Sequence, residues 1–307
     1  MTLFIQQLLN GLTVGSLYAL IAVGYTVVYG IVQLINFAHG EVFMIGAFGS
    51  LATWQVVCRS NTGLWVLPIM IVGGAVCSVV VALLMERFAY RPLRNAPRLA
   101  PLITAIGISI ALQRAIQLWY PGATSNVSYP SIDGVTGSSL TIGSVVIQRT
   151  TLFTLGVLIV SAAALYIFIS RTRTGKAMVA VSQDPDTARL MGINVDRIIA
   201  AAFAMGAILA ALAGVAQGLR DSNVSSTMGF LAGLKAFTAA VLGGIGNIQG
   251  AVAGGLVLGL IEAMATQYIP GQFGGNAWSD VYAFIVLILV LVFRPQGLFG
   301  ARVVDRA

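Results

Sequence analysis

Polar and ionisable side chains inside long apolar runs are costly, so the few that this chain places there are its first functional candidates. Asn36-Phe37-Ala38-His39-Gly40-Glu41 follows the first apolar run and holds the only histidine and the first carboxylate of the sequence. An amide, an imidazole and a carboxylate this close together could line a polar pathway. They could equally close a helix junction, with Asn36 as cap, Gly40 as turn, and His39 and Glu41 hydrated. A second cluster concentrates Gly243, Gly244 and Gly246 with Asn247 between two apolar segments. Broken helices whose exposed backbone faces a pathway are a recurrent transporter device, so these four residues are gate or pathway candidates. Lys235 and Glu262 are charges set within apolar runs. On neighbouring antiparallel helices their depths would differ by only ~5 Å, so they are expected to pair, directly or through water.

Other chemistries are excluded. The stretch from Gly244 to Gly250 imitates a dinucleotide fingerprint, but its third glycine falls one place late and no βαβ context follows; no GxxxxGK[ST] loop occurs anywhere. Cys58 and Cys77 lie 19 residues apart, without CxxC spacing or a nearby histidine, and are expected to be free apolar thiols with no metal. His39 has no evident nucleophile partner, which argues against an intramembrane enzyme.

The elements that must position these groups are membrane helices. The 307 residues are 58% hydrophobic and 9% charged, with a mean hydropathy of +0.91, more apolar surface than a soluble fold can hide. The apolar stretches are continuous, which selects helices over a β-barrel. Spans are expected at 8–29, 42–57, 64–85, 99–118, 151–170, 198–217, 231–245, 251–269 and 281–293. The run 231–245 is short and glycine-ended, so it is expected to be broken or re-entrant, and the count is eight to ten helices. If loops alternate across the membrane, segments 86–98, 171–197 and the tail from 294 share one side and carry twelve of the seventeen Lys and Arg. Positive loops remain cytoplasmic, so the N-terminus is expected outside and the C-terminus inside. The net charge of +7 then reflects this bias and calls for no nucleic acid. Residues 1–300 read as one transmembrane domain and 301–307 as a short cytoplasmic tail. The almost uncharged outer loop 119–150 alternates over 140–147, the pattern of a hairpin.

Segment 171–197 is too polar for a plain turn. Asp184 suits a helix N-cap, Pro185 the first helical position, and Gly192 a left-handed exit, so a short rigid helix containing Asp186 and Ala188 and followed by Ile193 is expected at the cytoplasmic face. Such a helix is a surface for a partner.

Five motifs in order, Asn36-Phe-Ala-His-Gly-Glu41, Gly175-Lys-Ala177, Leu190-Met-Gly-Ile-Asn194, Lys235-Ala-Phe-Thr-Ala-Ala-Val-Leu-Gly-Gly-Ile-Gly246 and Arg294-Pro-Gln-Gly-Leu298, resemble the high-affinity branched-chain amino acid permeases of bacterial ABC importers. The resemblance runs from the first span to Gly300. It implies an all-α polytopic fold of the type II ABC importer kind, in the bacterial inner membrane. It also implies a second homologous permease, two cytoplasmic ATPase subunits that use ATP and Mg, a periplasmic substrate-binding protein, and no cofactor on this chain. The helix at Asp184, Pro185, Asp186, Ala188, Gly192 and Ile193 then corresponds to the ATPase-coupling region, although Ala180-Val181-Ser182 stands where the family has an acidic-Ala-Ala start. Related permeases for urea and short amides share the Asn36–Glu41 motif. A glycine-filter channel or an ion-coupled carrier using Glu262 is the rival of another class.

Overall fold

The structure, a computed structural model, describes residues 2–300 apart from 59, 60, 95, 98, 121, 138, 143, 144 and 295. The expected tail at 301–307, and with it Arg302 and the outer Arg59, lie outside the described residues.

Long uncharged runs satisfy their own backbone as helices, and among the described residues eight of them are long and apolar enough to cross a membrane. They are α1 (Thr2–Val32), α2 (His39–Thr53, continued as a π-turn to Cys58), α3 (Val66–Met85, continued likewise to Tyr90), α4 (Leu99–Trp119), α5 (Arg149–Arg171), α8 (Val195–Asp221), α10 (Ile248–Tyr268) and α11 (Ser279–Phe293), which the turn from Asn276 lengthens to 18 residues. Two short helices, α6 (Arg173–Gln183) and α7 (Pro185–Leu190), occupy the charged island. A ninth apolar helix, α9 (Met228–Gly243), has only 16 residues, ~24 Å of axis against a ~30 Å hydrocarbon core. The bundle therefore has one end carrying α6 and α7, called here the charged end, and a far end.

At the far end two small antiparallel ladders form. β2 (Ser139–Ile142) pairs with β3 (Val145–Gln148), with Leu140 opposite Ile147, the hairpin that the alternation predicts. β1 (Val127–Ser128) pairs with β4 (Asn223–Val224), which no local pattern announces.

The core is built around α1, which is buried from Gly11 to Ile31 on most of its positions and packs on α10, α8, α9 and α5. Its most extensive partner is α10. Gly11, Gly15 and Ala19 on α1 meet Gly255, Gly259 and Ala263 on α10, both series spaced by four, so two backbones touch where side chains would separate them. By contrast α4, α5 and α11 turn apolar side chains such as Ile103, Val160 and Val292 outward. In a chain of this class lipid or a partner subunit covers such faces.

The run 231–245, expected to be broken or re-entrant, is instead carried by one continuous short helix, α9, that ends at Gly243. The break in helical continuity falls in the segment 33–38. Gln33 leaves α1 in a left-handed conformation (φ 55°), and the chain turns back into the bundle before α2 begins at His39.

Candidate functional site

The polar motif after α1 is carried inward by that return. Asn36 does not cap α2: the N-cap position is Ala38, and Asn36 Oδ1 instead accepts from the Ala38 N–H (3.0 Å) and the Tyr90 hydroxyl (2.6 Å). The His39 ring packs on Gly24, eight residues before the end of α1, ~12 Å along its axis. Gly40 is not a turn but a point of contact, since a Cβ there would come within 2.2 Å of the Gly229 carbonyl on α9. Glu41 is fully buried, and its Oε1 accepts from Ser109 Oγ and Gln113 Nε2, each at 2.8 Å. Ser109 is the middle residue of the 21-residue α4, so Glu41 stands ~15 Å from either end of that helix. The hydrated-cap alternative for this motif is thereby corrected: His39 and Glu41 are both buried.

What holds a carboxylate there is partly geometric. Glu41 lies in the first turn of α2, and its Oε2 faces Gly229 in the first turn of α9, so two positive helix ends converge on it. Among the described residues Glu41 Oε2, His39 Nε2 and Tyr25 Oη are buried without a hydrogen-bond partner, and the Tyr25 and His39 rings meet edge-on at 4.8 Å. An unsatisfied polar cluster at this depth is costly, which makes it a candidate site.

A second polar group occupies the half of the bundle nearer the far end. Lys235 Nζ on α9 lies 2.9 Å from Glu262 Oε1 on α10 and 2.6 Å from Asp280 Oδ1 at the start of α11. Tyr18 on α1 donates to Glu262 Oε2 at 2.9 Å, and the ammonium stands 5.6 Å from the centre of its ring. Sequence reasoning named Lys235 and Glu262 but missed Asp280 and Tyr18. Asp280 reads as a flank of its span, and a tyrosine within an apolar run carries no charge to attract notice.

Gly243, Gly244, Gly246 and Asn247 form the turn between α9 and α10 at the charged end. Gly244 and Gly246 have φ of 101° and 97°, and Asn247 caps α10 by accepting from the Gly250 N–H at 3.1 Å. The C-terminal residues strap this turn: Leu298 N–H bonds to the Leu242 carbonyl (2.8 Å), Phe299 N–H to that of Gly243 (3.0 Å), and Asn247 Nδ2 to that of Phe299 (3.2 Å).

In the charged island Asp184 caps α7, accepting from the N–H groups of Asp186 (2.9 Å) and Thr187 (3.2 Å) and from the Thr187 hydroxyl. Pro185 takes the first helical position. Gly192 turns left-handed at φ 82°, and the Ile193 N–H closes on the Ala188 carbonyl at 3.0 Å. Ala188 is buried against the bundle while Leu190 and Met191 are 87% and 77% exposed. Asp196, two residues after the α8 cap Asn194, is gripped by Arg91 and by Arg94, which also pairs with Glu86.

The Thr187 hydroxyl and the two N–H groups hold the Asp184 carboxyl below the usual carboxylate range. A group with a depressed folded value contributes stability that is present above its unfolded value and lost as pH falls through the folded one. The cap should therefore be intact at neutral pH and fail only below the ordinary carboxylate range. Hydrogen-exchange protection of the Asp186 and Thr187 amides should drop on acidification while α6 stays protected, and Asp184→Asn should abolish that pH dependence. Protection that tracks α6 at every pH would refute it.

Eight membrane-length helices among the described residues, a short ninth and a capped helix at one end make this an all-α polytopic membrane protein. PsaBC from Streptococcus pneumoniae, solved in complex with Fab, covers 96% of this chain and 94% of its own at a TM-score of 0.50 and 12% identity, a likeness of fold alone. The family described as branched-chain amino acid transport system / permease component matches residues 7–291, and the chain belongs to it. Over 99% of its length the chain is 44% identical to 98% of the high-affinity branched-chain amino acid transport system permease protein BraD of Pseudomonas aeruginosa. It is 42% identical to 97% of LivH, the permease protein of the same description in Escherichia coli strain K12.

Proposed function

We propose that this chain is the membrane-spanning subunit of an ATP-driven importer, translocating branched-chain or related neutral amino acids that a periplasmic binding protein delivers. The observation that carries the coupling part of this reading is α7: a short helix, rigidly capped at both ends, offering Leu190 and Met191 to a partner from the charged end. The charged end is then cytoplasmic, in agreement with the excess of Lys and Arg there. A second homologous permease completes the path, and two ATPase subunits use ATP and Mg, with no cofactor on this chain. Closure of the ATPase dimer moves α7. The motion reaches α8 through Asn194 and Asp196 and reaches α3 through Arg91 and Arg94, so the opening of the path alternates between the two sides. Asn36, His39 and Glu41 at the return before α2, and the strapped turn at Gly243, Gly244, Gly246 and Asn247, are the gating elements of that cycle.

Reconstituted alone the chain should be inert, and uptake should need ATPases, ATP and binding protein together. ATP-independent uptake or ion conductance by the purified chain would reject the importer and favour a channel or carrier. Within the complex, Gly192→Val forces a β-branched residue into a left-handed conformation, ~1–2 kcal/mol of local strain, and Asp184→Arg reverses the charge at the cap. Each should leave membrane levels near normal and reduce transport to background. Unchanged substrate-stimulated ATP hydrolysis and normal co-purification of the ATPases would show that α7 is not the coupling element.

A further inference from the structure

Between α1, α5, α10 and the ends of α8 and α11 lies a 720 Å³ cavity whose wall runs from Gln7 to Tyr18 on α1. Those eleven steps of helix are ~16 Å of depth, and Tyr18 lies next to the middle of the 31-residue α1, so the cavity reaches about halfway along the bundle from the far end. Resting on the importer reading above, we propose that this cavity receives the zwitterionic head group of a free α-amino acid, the Arg220 guanidinium taking the carboxylate and the Glu262–Asp280 side taking the ammonium.

Charge supports the division. Lys235 bonds two carboxylates, Glu262 and Asp280, and so leaves one negative charge unbalanced beside the cavity floor. Arg220 lines the same cavity, and its carboxylate partner Asp221 stands 3.8 Å from Nε, beyond hydrogen-bond reach. Asp221 lines the cavity as well, but among the described residues the terminal nitrogens of Arg220 make no hydrogen bond, so its fork can take a carboxylate in two-point fashion, the geometry for which guanidinium is suited. Hydration supports it too. A site that grips a leucine or valine side chain needs apolar walls, yet among the described residues Val14 and Ala263 are the only aliphatic side chains lining this one, beside amides and hydroxyls such as Asn10, Thr266 and Asn276. A cavity so built reads the head group that all neutral amino acids share and leaves selection by side chain to another component.

The test uses the assembled importer in membranes, without binding protein or ATP, in a Cys58→Ala, Cys77→Ser background. A thiol placed in the wall by Thr266→Cys is modified with the membrane-impermeant reagent MTSET. Millimolar leucine should slow modification several-fold, whereas leucinamide, lacking the carboxylate, and 4-methylpentanoate, lacking the ammonium, should not. Arg220→Gln should remove protection by leucine, judged against that variant's own modification rate without leucine. The proposal is overturned by an unreactive thiol, by equal rates with and without leucine, by equal protection from either truncated analogue, or by full protection in Arg220→Gln. Uptake by the same complex, once ATP and binding protein are added, is scored separately: ATP-independent uptake would reject the importer reading whatever the labelling shows.

Discussion

Replacing Lys235 with methionine should cost the folded protein about 3–5 kcal/mol, because it strands Glu262 and Asp280, two carboxylates that one ammonium now bridges. Glu262→Gln should cost less, since Asp280 still holds the ammonium and the amide can still accept from Tyr18. The double variant Lys235→Met/Glu262→Gln should recover part of the loss, with a coupling energy within the ~0.5–3 kcal/mol typical of contacting residues. Recovery should stay incomplete until Asp280→Asn is added. Thermal unfolding of the purified variants in detergent, scored as a double-mutant cycle, checks this. Strictly additive losses would mean that the three charges are hydrated independently, with Lys235 merely reaching for water along its apolar stem.

The contact between α1 and α10 gives the second large effect. A Cβ on Gly259 would come within 2.3 Å of the Gly15 Cα and N, backbone atoms that cannot rotate away. Gly259→Ala should therefore lose about 2–3 kcal/mol through overpacking, although alanine is the better helix former. Gly107→Ala is the matched control. It adds the same methyl group on α4 where nothing lies within 4 Å, and should be neutral or stabilise by up to ~1 kcal/mol. Fluorescence-detected size exclusion after a heat step reads both. If the two variants melt together, the close approach of α1 and α10 is not what sets the stability of the bundle.

How far the sequence foretold this arrangement depends on the range of the interactions. The spans were legible because an uncharged run of twenty residues has few alternatives, and α7 was legible because its start and stop lie in its own residues, Asp184-Pro185 and Gly192. The nearness of Lys235 and Glu262 followed from helix order and depth alone. What stayed hidden was tertiary. Nothing local says that the chain turns inward after Gln33, since that return is fixed by Tyr90 donating to Asn36 across 54 positions. Nor does the Asn36–Glu41 motif reveal that Glu41 meets Ser109 and Gln113. The available signal was on α4 itself, where two hydrogen-bonding side chains four residues apart share one face of an otherwise apolar helix.

The pairing of α1 with α10 also fixes an order of events during synthesis. At ~5–20 residues per second, roughly 10–50 s separate the completion of the first helix from the arrival of its main partner. Throughout that interval α1 waits in lipid with its glycine face uncovered. It can wait because its polar groups are provisionally self-sufficient: Thr13 and Ser16 return their hydroxyls to the carbonyls of Leu9 and Leu12 one turn back. The earliest helix to be made thus waits for one of the last to cover it, and a ribosome stalled before residue 248 should leave an inserted but unlocked bundle, open to quality-control proteases along the groove that α10 was to fill.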